Sequence, residues 1–224
     1  MDSQPFPDDT QRGRHRNSLY YVDTQIGHLL EYLDQQGLID NTLLVVTSDH
    51  GETLLEGRAG HGLSFTNEEI RVPLIISNPV VFPKPIQKDV FANHLDLAPT
   101  LAALVGLPSP EDWKGRNLLP ERIRSRILYL SQNQARKRGL IDQGILYEER
   151  PSTGESLILS LESGRPTPLP IKDDRSALYV TYRELMNAHE TLTALSHLKR
   201  AFCKSKNLKV SRTPDGQATC ESAN

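Results

Sequence analysis

Asp40-Asn41-Thr42-Leu43-Leu44-Val45-Val46-Thr47-Ser48-Asp49-His50-Gly51-Glu52 is the stretch whose reading decides the fold. Asp40-Asn41 is a turn signal. Thr42 to Thr47 is a short, continuously apolar and β-branched run, which predicts a strand covered on both faces. Small and polar residues, Ser48 to Glu52, follow at once. Upstream, Leu19, Val22, Ile26, Leu29, Leu30 and Leu33 recur at every third or fourth position and share one helical face. They predict a helix from about Arg14 to Gln36, ended by Gly37 in the left-handed conformation. Helix, turn, buried strand and polar loop are the parts of an open α/β sheet. Ligands of such sheets gather at the carboxyl ends of the strands.

Residues 53 to 69 are rich in glycine and polar groups and read as a long active-site loop. A second buried strand is predicted at about Val72 to Ser77, stopped by Asn78-Pro79. Asp96 is expected to cap a helix with Pro99 in its first turn and Leu97, Leu101, Leu104 and Val105 on its apolar side. Gly106 and Pro108 end it. Beyond about residue 120, Ile127 to Leu130, Gly144 to Tyr147 and Leu157 to Leu161 predict a small antiparallel sheet. A long helix is expected from about Arg175 to Phe202, followed by a disordered tail. The expected organisation is a domain over 1–120, a small α+β subdomain over 121–205, and a tail over 206–224.

The 224 residues are 37% hydrophobic and 24% charged, with a net charge of −2. That balance suits a folded chain and gives no basic patch for nucleic acid. No apolar run approaches the ~20 residues of a spanning helix. Met1 to Arg16 is polar and holds no apolar leader region. Cys203 and Cys220 form no CxxC pair and are expected to be two ordinary thiols.

Asp49 and His50, side by side at a strand end, can bind a divalent cation through a hard oxygen and an imidazole nitrogen. Gly51 lets the backbone turn there without a Cβ clash. His61, flanked by Gly60 and Gly62, is the candidate for charge stabilisation, with Arg58 a poorer one. Structural jobs are expected for the other polar residues. Tyr20 and Asp23 should pack or bond at the helix end, and Glu68, Glu69 and Arg71 should fix the loop by an ion pair. Glu52 should hold the Asp49 loop, and Asp96 beside His94 should be a helix cap rather than a second metal site. Glu148-Glu149 and Asp173-Asp174 should be solvated.

The run Tyr21-Val22-Asp23, Ile26-Gly27, Asp40 to Glu52, Gly60-His61-Gly62 and Glu68-Glu69-Ile70-Arg71-Val72-Pro73, with Asp96-Leu97-Ala98-Pro99-Thr100, resembles the later half of the sulfatase domain. The likeness runs from about Arg14 to Leu119. It implies a partial sulfatase-like, alkaline-phosphatase-type α/β sheet flanked by helices, with Asp49 and His50 as metal ligands and His61 reaching the sulfuryl or phosphoryl oxygens. Many sulfatases carry Asn where this chain has His50, and they use calcium. A His ligand moves the expected cation toward manganese or zinc. The substrate implied is a sulfate or phosphate ester.

The family nucleophile lies in a C/S-x-P-x-R motif, which Cys203-Lys204-Ser205 and Cys220-Glu221-Ser222 do not fit. The half of the fold that carries it is therefore the expected partner, and the chain by itself is expected to be inactive. Relatives are periplasmic, secreted or membrane-anchored. The alternatives are part of a phosphoethanolamine or glycerol-phosphate transferase or of a phosphonate or phosphate ester hydrolase, or a non-catalytic binding member of the fold.

Overall fold

A computed structural model describes residues 5–54, 60–62, 64–121, 123, 127–132, 136–161, 167–168, 176–206, 209–212 and 218–221. Two compact units emerge, Met1–Asp89 with Gln132–Ala135, and Val90–Ser131 with Arg136–Asn224. The architecture is mixed α/β, with helices and antiparallel sheets. Among the described residues no helix is long and apolar enough to cross a membrane.

The first unit begins with α1, Gln11–Gln35, whose Thr10 hydroxyl accepts the Gly13 amide at 3.0 Å. Gly37, at φ 64, closes it. The Gly37 amide donates to Asp34 and the Leu38 amide to Leu33, which satisfies the last-turn carbonyls. The apolar stripe read from the sequence is present but largely uncovered: Leu19, Val22 and Leu29 are about half exposed. Tyr20 and Asp23 are exposed rather than packed, and the Tyr20 carbonyl accepts the Thr24 hydroxyl.

Strand β1, Leu44–Thr47, pairs antiparallel with β2, Leu74–Ser77, setting Leu44 opposite Ser77 and Thr47 opposite Leu74. Both strands stand where the apolar runs predict. Their burial does not match the expectation: β1 is only half-buried, and Leu74 and Ile75 of β2 are exposed. A two-strand ribbon has two faces and two edges, and the apolar runs written for a covered sheet remain partly open here. Asn78 does more than stop β2. It is buried, its amide donates to the carbonyls of Asp40 and Thr42, and its oxygen accepts the amides of Val80 and Val81. The end of β2 is thereby tied to the turn that launches β1.

The loop beyond β1 is organised by Glu69, in the short helix α2, Asn67–Ile70. Its carboxylate is buried and accepts the Thr53 hydroxyl at 2.8 Å, the Ser64 hydroxyl at 2.6 Å and the Ser64 amide at 3.2 Å. Its carbonyl accepts the Gly51 amide at 2.8 Å. Thr53 and Gly60 exchange both backbone hydrogen bonds as an antiparallel bridge. Glu69 thus fixes the loop, as expected of this cluster, but through hydroxyls and amides rather than through the ion pair predicted with Arg71.

In the second unit a 3-10 turn, His94–Asp96, leads into α3, Leu97–Leu104. Asp96 does not cap α3 with its side chain. It closes a capping box with Asn93 one turn earlier, and its other oxygen accepts the Arg116 amide at 2.8 Å. Gly106, at φ 72, ends α3 as predicted.

Five antiparallel strands follow in sequence order: β3, Leu128–Gln132; β4, Lys137–Asp142; β5, Ile145–Arg150; β6, Glu155–Ser160; and β7, Thr167–Pro168. Helix α4, Ser176–Ser205, places Tyr182 and Met186 in a core with Leu140, Tyr147 and Ile158.

The pair Glu148-Glu149, expected to be solvated, is buried. Register explains it. Arg138 on β4 faces Glu149 on β5 and pairs with it at 2.7 Å, and Lys137 meets Glu148 at 2.5 Å. The Tyr147 hydroxyl donates to Glu149, and Arg183 on α4 lies 3.8 Å away. Asp173 and Asp174 lie outside the described residues. Strands β8, Lys209–Arg212, and β9, Ala218–Glu221, form a hairpin where the sequence predicts a disordered tail. Cys203 is fully buried and disulfide-bonded, which corrects the expectation of two thiols. The chain's other cysteine, Cys220, lies on β9, and α4 packs against that hairpin, a proximity that spacing alone does not reveal.

Two predictions follow from these buried carboxylates. Glu69→Ala removes the acceptor shared by the Thr53 hydroxyl and the Ser64 hydroxyl and amide, leaving Thr66 as the neighbour of both hydroxyls, at a cost of about 1–3 kcal/mol. Hydrogen exchange should show the Gly51, Thr53 and Gly60 amides losing protection, with Glu69→Gln retaining part of it. Glu149 is governed by two opposing influences. Burial works to raise its pKa, but hydrogen bonds from Tyr147 and Arg138 and the charges of Arg138 and Arg183 hold it below the usual range. A carboxyl with a lowered folded pKa contributes fully above the unfolded value, about 4.3, and that contribution is lost as pH falls through the folded one. Unfolding of the second unit followed against pH should show this acid loss in the native chain and a smaller one in Glu149→Gln.

Candidate metal centre

Thr47, the last residue of β1, donates its hydroxyl to the Pro73 carbonyl at 2.8 Å, so the exit from the strand is fixed. The Ser48 hydroxyl donates to the His50 carbonyl at 2.6 Å, and the Asp49 carboxylate accepts the His50 amide at 3.0 Å. That amide, and then the His50 imidazole when it carries its proton, hold the Asp49 carboxyl below its ordinary pKa, so it is an anion at neutral pH. Asp49 is the most open member of the group, with its side chain 86% exposed.

His50 Nδ1 stands 2.9 Å from the Gly51 carbonyl. A carbonyl only accepts, so Nδ1 carries the hydrogen, and in the neutral ring the lone pair sits on Nε2. Nε2 faces Asp49 Oδ2 at 3.6 Å. Two acceptors turned toward each other without a hydrogen between them are repulsive until a proton or a cation joins them. Gly51 is required for a reason beyond flexibility. A Cβ there would collide with the Glu68 carbonyl, on the same stretch whose next carbonyl accepts the Gly51 amide.

His61 is returned to this point by the Thr53–Gly60 bridge, with Gly60 and Gly62 both at positive φ. Its Nδ1 lies 2.5 Å from Glu52 Oε1, and its ring centroid is 4.0 Å from that of His50, tilted by 32°. His50, Glu52 and His61 each offer one ligand atom within 4.8 Å of the others. Asp49 and His50 by themselves offer a carboxylate oxygen and an imidazole nitrogen 3.6 Å apart, a donor pair that suits manganese or zinc better than the all-oxygen shell of calcium. On this chemistry the residues present fit a divalent cation.

The structure thus brings Asp49, His50 and His61 to one loop cluster. Arg58 lies outside the described residues. Asp96 gives both carboxylate oxygens to backbone amides, so it serves the fold. Glu52 is the member that sequence reasoning undervalued, because it meets His61 through a loop return rather than through a helical or strand period. The glycines flanking His61 were the only sequence signal of that return.

Residues 2–107 match the family described as Sulfatase. An extracellular sulfatase SULF-1 homolog of Drosophila melanogaster is 30% identical over 176 residues, 78% of this chain and 14% of its own length. An N-acetylglucosamine-6-O-sulfatase of Bacteroides thetaiotaomicron is 39% identical over 103 residues, 44% of this chain and 18% of its length. Among solved structures, a phosphonate monoester hydrolase from Silicibacter pomeroyi superposes with a TM-score of 0.58 at 23% identity, covering 94% of this chain and 44% of that one. A protein solved with its substrate D-glucosamine-2-N,6-O-disulfate gives 0.58 at 22% identity, covering 78% and 39%. The chain therefore spans under a fifth of these two curated relatives and under half of these two structures. Over residues 2–107, just under half of its 224 residues, the chain is similar to the sulfatase family.

Proposed function

We propose that this chain supplies part of the active site of a metal-dependent sulfuric ester hydrolase, with Asp49 and His50 as metal ligands and His61 as the catalytic side chain. The observation that carries the reading is the facing pair, Asp49 Oδ2 and His50 Nε2 at 3.6 Å, with the His61 ring 4.0 Å from that of His50. A bound divalent cation would polarise the ester oxygens and stabilise the attacking group. His61, fixed at Nδ1, presents Nε2 to oxygens that gain charge as the ester bond breaks, and donates to them when the ring is protonated. Asp49 and His50 make only two ligands, and a catalytic cation is held firmly by three or more. The remaining ligands and the nucleophile belong, on this reading, to the portion of the family fold that these 224 residues do not span, since they contain no C/S-x-P-x-R sequence.

The sulfate-ester substrate class is supported by the relatives' names, which include an N-acetylglucosamine-6-O-sulfatase. The second reading, a phosphonate or phosphate ester hydrolase, is favoured by the likeness to the phosphonate monoester hydrolase and by a histidine at position 50. The disulfide at Cys203 supports an oxidising location outside the cytosol, as does the extracellular relative.

The test is direct. Manganese titrated into the full-length protein should bind, and Asp49→Asn and His50→Ala should each weaken binding by at least tenfold. Aryl sulfate hydrolysis should be lost in both variants. Unchanged binding in both would remove these residues from the metal site. Turnover of a phosphonate monoester in preference to an aryl sulfate would establish the second reading.

A further inference from the structure

Glu52 and His61 are joined more closely than any other pair in the cluster, at 2.5 Å between Oε1 and Nδ1. That separation is the length of a direct, charge-assisted hydrogen bond. We propose that Glu52 is a positioning residue for His61. This rests on the reading of His61 as the catalytic side chain.

The backbone explains how Glu52 can do this. The Gly51 amide is held by the Glu69 carbonyl, and the Thr53 amide by the Gly60 carbonyl. Glu52 is therefore bracketed by two hydrogen bonds that cross the loop, and its side chain is the less exposed partner, 29% against 47% for His61. Glu52 accepts from Nδ1–H, so the neutral His61 ring is the tautomer with its lone pair at Nε2. The carboxylate also sets the ring plane against His50. A carboxylate that holds an imidazole through Nδ1 fixes its tautomer and its ring orientation. His61 then has one working nitrogen in one direction, with little freedom left to lose when substrate arrives.

The experiment has two arms that separate this inference from the metal reading. In the first, long-range ¹H–¹⁵N spectra are taken of the metal-free chain labelled at histidine, with His61 assigned by loss of its signals in His61→Gln. The neutral ring should be the Nδ1–H tautomer. It should remain so in Glu52→Gln, whose amide oxygen still accepts, and shift to mainly Nε2–H in Glu52→Leu, with the Thr53 and Gly60 amide signals unmoved. An Nε2–H tautomer in the native chain, or no shift in Glu52→Leu, overturns the proposal. Because the native spectrum alone decides against it, the test survives a variant that fails to fold.

In the second arm, manganese is titrated into the full-length protein. Glu52→Gln should bind as the native protein does, and a loss equal to that of Asp49→Asn would make Glu52 a ligand and overturn the inference. Failure of Asp49→Asn and His50→Ala to affect binding would instead sink the metal reading and leave the tautomer result standing. In turnover, Glu52→Leu should lower kcat by about 10²-fold with KM little changed, and Glu52→Gln should recover part of it.

Discussion

One buried carboxylate sets the geometry on which the candidate centre depends. Glu69 gathers the Thr53 hydroxyl, the Ser64 hydroxyl and the Ser64 amide, while its own carbonyl holds the Gly51 amide. Those contacts fall on both sides of the loop that begins at Asp49 and returns at His61. A charge so deeply buried is costly unless its oxygens are filled with donors, and here they are. The same requirement makes the arrangement specific, because another loop path would strand the carboxylate without partners. The absence of a Cβ at Gly51 completes the constraint, since only glycine lets the chain lie against the Glu68 carbonyl.

Around that anchor the chemistry is layered. The end of β1 is fixed to Pro73, the next residues turn back through Ser48, and Asp49 and His50 emerge with their acceptor atoms facing. His61 arrives from the far side of the loop with its Nδ1 already engaged by Glu52. Asp49, His50 and His61 are all exposed, and the buried Glu69 gives the frame. The second unit follows a similar logic for stability. A sheet and one long helix enclose an apolar core, and the charges of Lys137, Arg138, Glu148 and Glu149 are paired where register brings them together.

Much of this was legible in the sequence, for identifiable reasons. Apolar residues at every third or fourth position marked α1, glycine marked the ends of α1 and α3, and the apolar runs marked β1 and β2. Those are local signals, set by backbone preference and periodicity. Strand β4 was missed because Lys137-Arg138-Gly139 does not look like a strand until Glu148 and Glu149 stand opposite. The disulfide at Cys203 and the β8–β9 hairpin escaped for a related reason, since nothing in the spacing says that α4 meets that segment. At the site, Asp49, His50 and His61 could be picked out by residue type and by resemblance to sulfatases. The roles of Glu52 and Glu69 could not, because each acts across a loop whose path only the folded chain reveals. The exposed faces of α1 and β2 are where apolar patterning and actual burial part company. Their stripes suit a larger sheet than the two strands of this unit.

The central claim is that a cation sits between the Asp49 carboxylate and the His50 imidazole, beside His61. Anomalous diffraction from crystals of the full-length protein grown with manganese addresses it directly. The account predicts a single strong peak in contact with both Asp49 Oδ2 and His50 Nε2, with Glu52 still bonded to His61. A peak held by Glu52 and His61 instead, or no peak near Asp49 and His50 while the metal is bound elsewhere, would contradict it.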